Sequence, residues 1–204
     1  MKDLYRLLAD SVLGGICIAI GGVVYLKVGG VAGAILFGFG LLAVVHYGFK
    51  LYTGVSGFVP RASWTEFRNL IVILGGNIIG CWLLAAALKY SAPALMDTAV
   101  SVYTSRLALG WTQCAMLGAG CGFIMTTAVR FGREGRWLPL LFGVPVFIFC
   151  GFLHSIADAF YISMLPADFF MANFSVLSVN YLAIVLGNFV GCNLTRLLRL
   201  DSKA

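Results

Sequence analysis

"GFLHSIADAF", residues 151–160, sets a histidine, a serine and an aspartate inside a long apolar stretch. An ionisable side chain facing lipid is costly, so such residues turn toward a bundle interior or a water-filled path. The stretch also begins at a break, because segment 137–163 carries Pro139, Gly143, Pro145 and Gly151. Irregular backbone at membrane depth survives only where protein buries it or where it lines a cavity. Its reading decides between a kinked packing helix and the wall of a path.

The surroundings place the stretch in a bilayer. The chain has 204 residues, 61% apolar and 11% charged, with a mean hydropathy of +0.97. A soluble domain is roughly a quarter charged. Residues 69–88 and 107–129 hold no Asp, Glu, Lys or Arg, and each is long enough as a helix to cross about 30 Å of hydrocarbon. "MKDLYRLLAD" mixes acids with bases and no small-residue cleavage pattern follows it, so no removable signal is expected. The expectation is an all-α protein integral to the lipid bilayer. The net charge of +6 follows from where the basic residues sit and calls for no nucleic-acid partner. Six cysteines (17, 81, 114, 121, 150, 192) fall in apolar segments without CxxC or zinc spacing. They read as free thiols packed like small apolar residues, and no metal or other cofactor is implied.

Hydropathy and breakers divide the chain into six transmembrane segments, about 11–29, 31–57, 68–90, 107–129, 137–163 and 174–195. Basic residues are uneven across them. One side holds Lys2, Arg6, Arg61, Arg68, Arg130, Arg133, Arg136, Arg196, Arg199 and Lys203, the other only Lys27, Lys89 and Arg106. Both termini are therefore expected in the cytoplasm, as in a bacterial inner membrane. Lys50 falls within the second segment.

Three patterns recur in order. "LGGIC" (13–17) returns as "LGAGC" (117–121), "GFKLYTG" (48–54) as "GFLHSIA" (151–157), and "GNIIGC" (76–81) as "GNFVGC" (187–192). The offsets are 104, 103 and 111 residues. Halves of about 1–95 and 96–204 with three spans each must enter the membrane in opposite senses, making one transmembrane domain, 1–204, of an inverted 3+3 repeat. Transporters and channels use that architecture, with the pathway between the halves near the midplane. The second and fifth segments are the interrupted ones, through Gly48, Gly54, Gly57 and Pro60 in one and the prolines and glycines around His154 in the other.

His154 is the leading candidate, because an imidazole can hydrogen-bond a passing anion or exchange a proton with it. His46 has no counterpart in the other half and reads as structural. His154 and Ser155 are adjacent and point different ways on a helix, so they form no catalytic pair. No GxSxG motif is present, and the chain is not expected to be an enzyme. Phe37, Leu41, Phe147 and Phe149 read on their own as packing, and the glycines of "GNIIG" and "GNFVG" as sites of close helix approach.

Taken together, "LYTG" (51–54), "GFLHSIAD" (151–158) and the two "GN..G" patterns resemble the formate/nitrite transporter family, over nearly the whole chain. The resemblance implies an aquaporin-like six-helix protomer with broken second and fifth helices, a homopentamer, and one pore per protomer. It places Leu51, Tyr52 and Thr53 in the broken second span and His154 at the family's central histidine, with Thr53 as its hydrogen-bond partner. It turns Phe37, Leu41 and Phe147 into pore-narrowing residues. Departures are equally specific: Lys50 and Leu153 stand where the family carries glutamates, Asp158 where it carries asparagine, and Cys114 near a fourth-span asparagine position. The chain is also short for the family. A lysine at this depth needs a partner, so a Lys50–Asp158 interaction, direct or through water, is expected. The expected function is passage of a small monovalent anion or its weak acid, such as formate, nitrite or hydrosulfide. The alternatives are a neutral-solute channel and, further off, a membrane-embedded enzyme.

Overall fold

The computed structural model describes residues 2–58 and 63–198. Pro60 and Arg61, used above to end the second segment and to count charge, lie outside the described residues, as do Arg199 and Lys203. Every regular element described is helical. The order is α1 (Lys2–Val28), α2 (Gly30–Tyr47), α3 (Tyr52–Val55) running into a 3-10 turn (Ser56–Phe58), α4 (Trp64–Ser91), α5 (Ala94–Leu107), α6 (Trp111–Arg133), α7 (Leu138–Phe149), α8 (Ser155–Met164), α9 (Ala167–Ala172), α10 (Phe174–Cys192) and α11 (Leu194–Leu198). Among the described residues five helices, α1, α2, α4, α6 and α10, are long and apolar enough to cross a membrane. The chain is an integral membrane protein.

Both interruptions expected from the sequence are present. Segment 31–57 divides into α2 and α3, and segment 137–163 into α7 and α8. The stretch between the third and fourth segments is a helix, α5, where the hydropathy reading left a loop. Its buried residues, Leu95, Ala99 and Tyr103, recur every four positions, so one face packs inward. The polar residues between them dilute a hydropathy average, so hydropathy alone does not mark the element.

Glycines set two close helix pairs. In α1–α4, a Cβ at Gly15 would strike the Asn77 carbonyl and one at Gly80 the Val12 carbonyl. In α6–α10, Gly122 stands in the same relation to the Asn188 carbonyl and Gly191 to that of Ala119. These pairs correct the alignment drawn from sequence. Gly15 corresponds to Gly122 and Val12 to Ala119, an offset of 107 residues and not the 104 of the "LGGIC"/"LGAGC" echo. Three residues is nearly one helical turn, so a glycine-rich face repeats almost unchanged under that slip.

Candidate functional site

The two breaks are built alike, each around a buried asparagine. Splitting a helix strands a carbonyl on one side and an N–H on the other, and hydrocarbon offers neither a partner. At the first break, Asn77 Oδ1 accepts from the Tyr52 N–H at 2.9 Å, while its Nδ2 donates to the carbonyls of Lys50 (2.8 Å) and Ser11 (2.6 Å). At the second, Asn188 Oδ1 accepts from the Ser155 N–H at 2.8 Å, and Nδ2 donates to the carbonyls of Leu153 and Gly118, both at 2.8 Å. Both amides are fully buried. The asparagines sit in the "GNIIGC" and "GNFVGC" echoes, where the sequence reading credited only the glycines.

Upstream of each break the helix ends on a left-handed glycine, Gly48 (φ 71°) or Gly151 (φ 70°). The next residue bonds back, Phe49 N–H to the Val44 carbonyl at 3.0 Å and Phe152 N–H to the Phe147 carbonyl at 2.9 Å, closing matching C-caps. Leu51 (φ −116°, ψ 129°) and His154 (φ −107°, ψ 113°) then occupy the same extended conformation at corresponding positions.

That position gives His154 its geometry. As N-cap of α8 its Nδ1 accepts the Ala157 N–H at 3.1 Å. With Nδ1 used as an acceptor, the neutral ring carries its proton on Nε2, which lies 2.9 Å from Thr53 Oγ1. The imidazole therefore donates to Thr53 across the two breaks. A second proton would have to go onto Nδ1 and displace the Ala157 bond. The ring is also packed against Phe147 (centroids 5.6 Å apart), which meets Phe37 edge-on at 5.8 Å. Phe37, Leu41, Leu51, Tyr52, Thr53, Phe147 and His154 are all buried. Phe149, weighed with these rings in the sequence, is exposed, and so is His46, edge-on to Tyr47.

Lys50 and Asp158 are not partners. Asp158 is fully buried and forms an ion pair with Arg106 Nη1, from the last turn of α5. The Arg106 guanidinium carbon lies 5.0 Å from the Tyr161 ring centroid and 5.7 Å from that of Tyr103. Lys50 is half-buried, with no ion pair among the described residues. The expected pairing starts from Lys50, a lysine inside a segment that needs a partner, but packing brings Arg106 to the carboxylate from α5, a helix that hydropathy alone does not reveal.

A cavity of ≈ 420 Å³ lies beside Arg106, lined by that residue, Phe147, Cys150, Gly151, Leu153 and Tyr161 among others. It adjoins the His154 cluster through Phe147. A model of the family described as formate/nitrite transporter matches residues 1–198. The chain belongs to the formate/nitrite transporter family. A formate-nitrite transporter of Entamoeba histolytica is 23% identical over 92% of this chain and 61% of its own length. The formate channel FocA of Haemophilus influenzae is 25% identical over 70% of this chain and 55% of its own. The chain thus spans little more than half the length of these family members. A solved pentameric formate channel with formate bound superposes with a TM-score of 0.84 at 24% identity, covering 98% of this chain and 99% of that one, a likeness of fold.

Proposed function

We propose that the protein is a membrane pathway for small monovalent anions or their weak acids, passing His154 where the two broken helices meet. The observation that carries the reading is the oriented pair His154–Thr53. The imidazole donates through Nε2 to the threonine oxygen, which leaves the Thr53 hydroxyl proton to be offered to a passing anion. Phe37 and Phe147 on one side, with Leu41, Leu51 and Tyr52 toward the first break, form the narrow apolar walls. A dry constriction of this kind excludes hydrated cations while admitting a small species that trades its water for a few hydrogen bonds. Because the second proton site of His154 is occupied, the residue works as a fixed neutral donor. Any proton that accompanies the substrate comes and goes with bulk water at the mouths.

In this reading the chain is one domain of six crossings, α2–α3 and α7–α8 being the broken ones, with inverted halves of about 1–95 and 96–204. The matched asparagine brackets support it. The pentameric state of the structural neighbour supports a homopentamer with a path in each protomer. The distribution of basic residues supports cytoplasmic termini in a bacterial inner membrane. Lys50 contributes positive charge toward the cytoplasmic mouth.

The test is formate flux and osmotic shrinkage of liposomes holding wild type or His154→Ala. Anion flux lost in the variant is the expected result. Permeation of neutral solutes without anion flux would make this a neutral-solute channel, and silence in both assays would end the transport reading.

A further inference from the structure

The last spanning helix of each half carries its bracketing asparagine and, four residues on, a buried thiol: Asn77 and Cys81 on α4, Asn188 and Cys192 on α10. The asparagines hold the break of their own half. The thiols reach the other one. Cys192 Sγ donates to the Thr53 carbonyl on α3 at 3.4 Å, and Cys81 Sγ to the Ile156 carbonyl on α8 at 3.4 Å, shared with the Gly15 carbonyl at 3.5 Å. These are one contact repeated. Cys81 and Cys192 are 111 residues apart, as Asn77 and Asn188 are, and Thr53 and Ile156 are 103 apart, as Leu51 and His154 are.

A polar hydrogen on a helical side chain has a nearer acceptor, the carbonyl four residues back in its own helix. The hydroxyls of Ser11, Ser56, Ser91, Thr104, Thr127 and Ser163 all turn to it. Cys81 and Cys192 point across to the facing half instead. An S–H donor is weak, so its worth depends on where it acts. Thr53 and His154 belong to different halves and meet at 2.9 Å. α3 is a single turn, too short to hold itself. Besides the thiol, α10 ties it through Tyr52 Oη, which donates to the Val185 carbonyl at 3.3 Å, and ties the turn behind it through Asn193 Nδ2, which donates to the Ser56 carbonyl at 3.2 Å. Of these three bonds, the one from Cys192 falls on the residue that meets the imidazole. α8 is ten residues long and is also held at its far end, where Lys89 Nζ donates to the Leu165 carbonyl at 2.7 Å.

We propose that Cys81 and Cys192 are paired positioning residues that lock each broken helix to the opposite half, and that Cys192 sets the Thr53 oxygen against His154. The proposal rests on the pathway reading above. Asparagine and thiol then have complementary tasks, the first closing a break within one half and the second registering that break against the other. Fixing the Thr53 carbonyl fixes its peptide plane, and with it the Cα from which Oγ1 projects.

Full-length protein with 15N-labelled histidine, reconstituted in liposomes, gives a direct readout by solid-state magnetic resonance. The chain has two histidines, and His46→Gln leaves the resonances of His154. Cys192→Ala should move the Nε2 resonance toward its position in Thr53→Val, where the acceptor is missing. Cys121→Ala removes the same atom from a wholly buried cysteine on α6 and should leave the resonance in place. Formate flux into the same liposomes should fall about threefold in Cys192→Ala, the scale of one weak hydrogen bond, and less in Cys81→Ala. Cys121→Ala should conduct as wild type does. In a Thr53→Val background Cys192→Ala should cost nothing further, because its effect runs through the oxygen already removed. A general loosening of the fold would lower flux by the same factor in both backgrounds.

The proposal is overturned if the Nε2 resonance stays in place in Cys192→Ala, if flux in that variant is undiminished, or if the loss is the same with and without the Thr53 hydroxyl. A resonance that moves as expected in a protein passing no formate would uphold the positioning and sink the pathway reading instead.

Discussion

Replacing Asn188 by alanine tests whether the asparagine brackets hold the path open. The amide makes three buried hydrogen bonds, one accepted from Ser155 N–H and two donated to the Gly118 and Leu153 carbonyls, all at 2.8 Å. Alanine deletes all three and strands the Ser155 N–H and the Leu153 carbonyl at a site water does not reach, while the Gly118 carbonyl, inside α6, keeps its helical bond. Polar bonds within membrane bundles average about 0.6 kcal/mol, since the loosened state finds other partners. Stranding a buried group costs roughly 1–3 kcal/mol. For three lost bonds and two stranded groups that partly relax, the expected loss is about 3 kcal/mol. Asn188→Asp should be worse, because its carboxylate still accepts from Ser155 but sets an acceptor against two carbonyl oxygens. Loss of the Ser155 anchor also frees the N-cap at His154, so formate flux should fall with stability. The assays are equilibrium unfolding in detergent and liposome flux, with Asn77→Ala as the matched variant at the other break. A loss below about 1 kcal/mol in Asn188→Ala, together with wild-type flux, would refute the reasoning.

Thr53→Val keeps the shape but removes the oxygen that meets His154 Nε2, and should cut formate flux by about tenfold, while Thr53→Ser retains most of it. Since His154 Nδ1 is held by the Ala157 N–H, the pH profile of flux between about pH 5 and pH 8, corrected for the substrate's own ionisation, should show no histidine inflection. An inflection that disappears in His154→Ala would mean that the ring titrates during transport. Gly151→Ala meets no neighbouring atom, so its cost is the positive φ alone, about 1–2 kcal/mol by thermal unfolding. Gly191→Ala pushes a methyl into the Ala119 carbonyl, where backbone faces backbone, and should cost about 3 kcal/mol or leave no folded protein in a solubilisation assay.

What the chain itself determined is what local chemistry determines. Apolar length and the scarcity of charge impose a membrane bundle, because hydrocarbon accepts little else. Glycine and proline in two spans impose breaks, since a left-handed glycine ends a helix wherever it stands, as Gly48 and Gly151 do. His154 was legible for the same reason, being an ionisable residue at one of those breaks, whereas Thr53 entered only through the family resemblance. The order of echoes suggested paired halves, although a slip of one helical turn passed unseen in the first and fourth spans.

Tertiary structure alone decided which residues meet. Asn77 and Asn188 could be quoted but not interpreted, because the carbonyls they satisfy lie at the breaks and on other helices, up to 70 residues away along the chain. The partner of Asp158 was chosen in the same way. Arg106 lies 52 residues off in sequence, on a helix whose weak hydropathy concealed it, and packing brings it to the carboxylate while Lys50 stays elsewhere. Hydrophobicity and backbone propensity act on neighbours along the chain, so a sequence displays them directly. Hydrogen bonds and ion pairs in a bilayer act across a few ångströms of space, and only the packed helices determine which groups come that close.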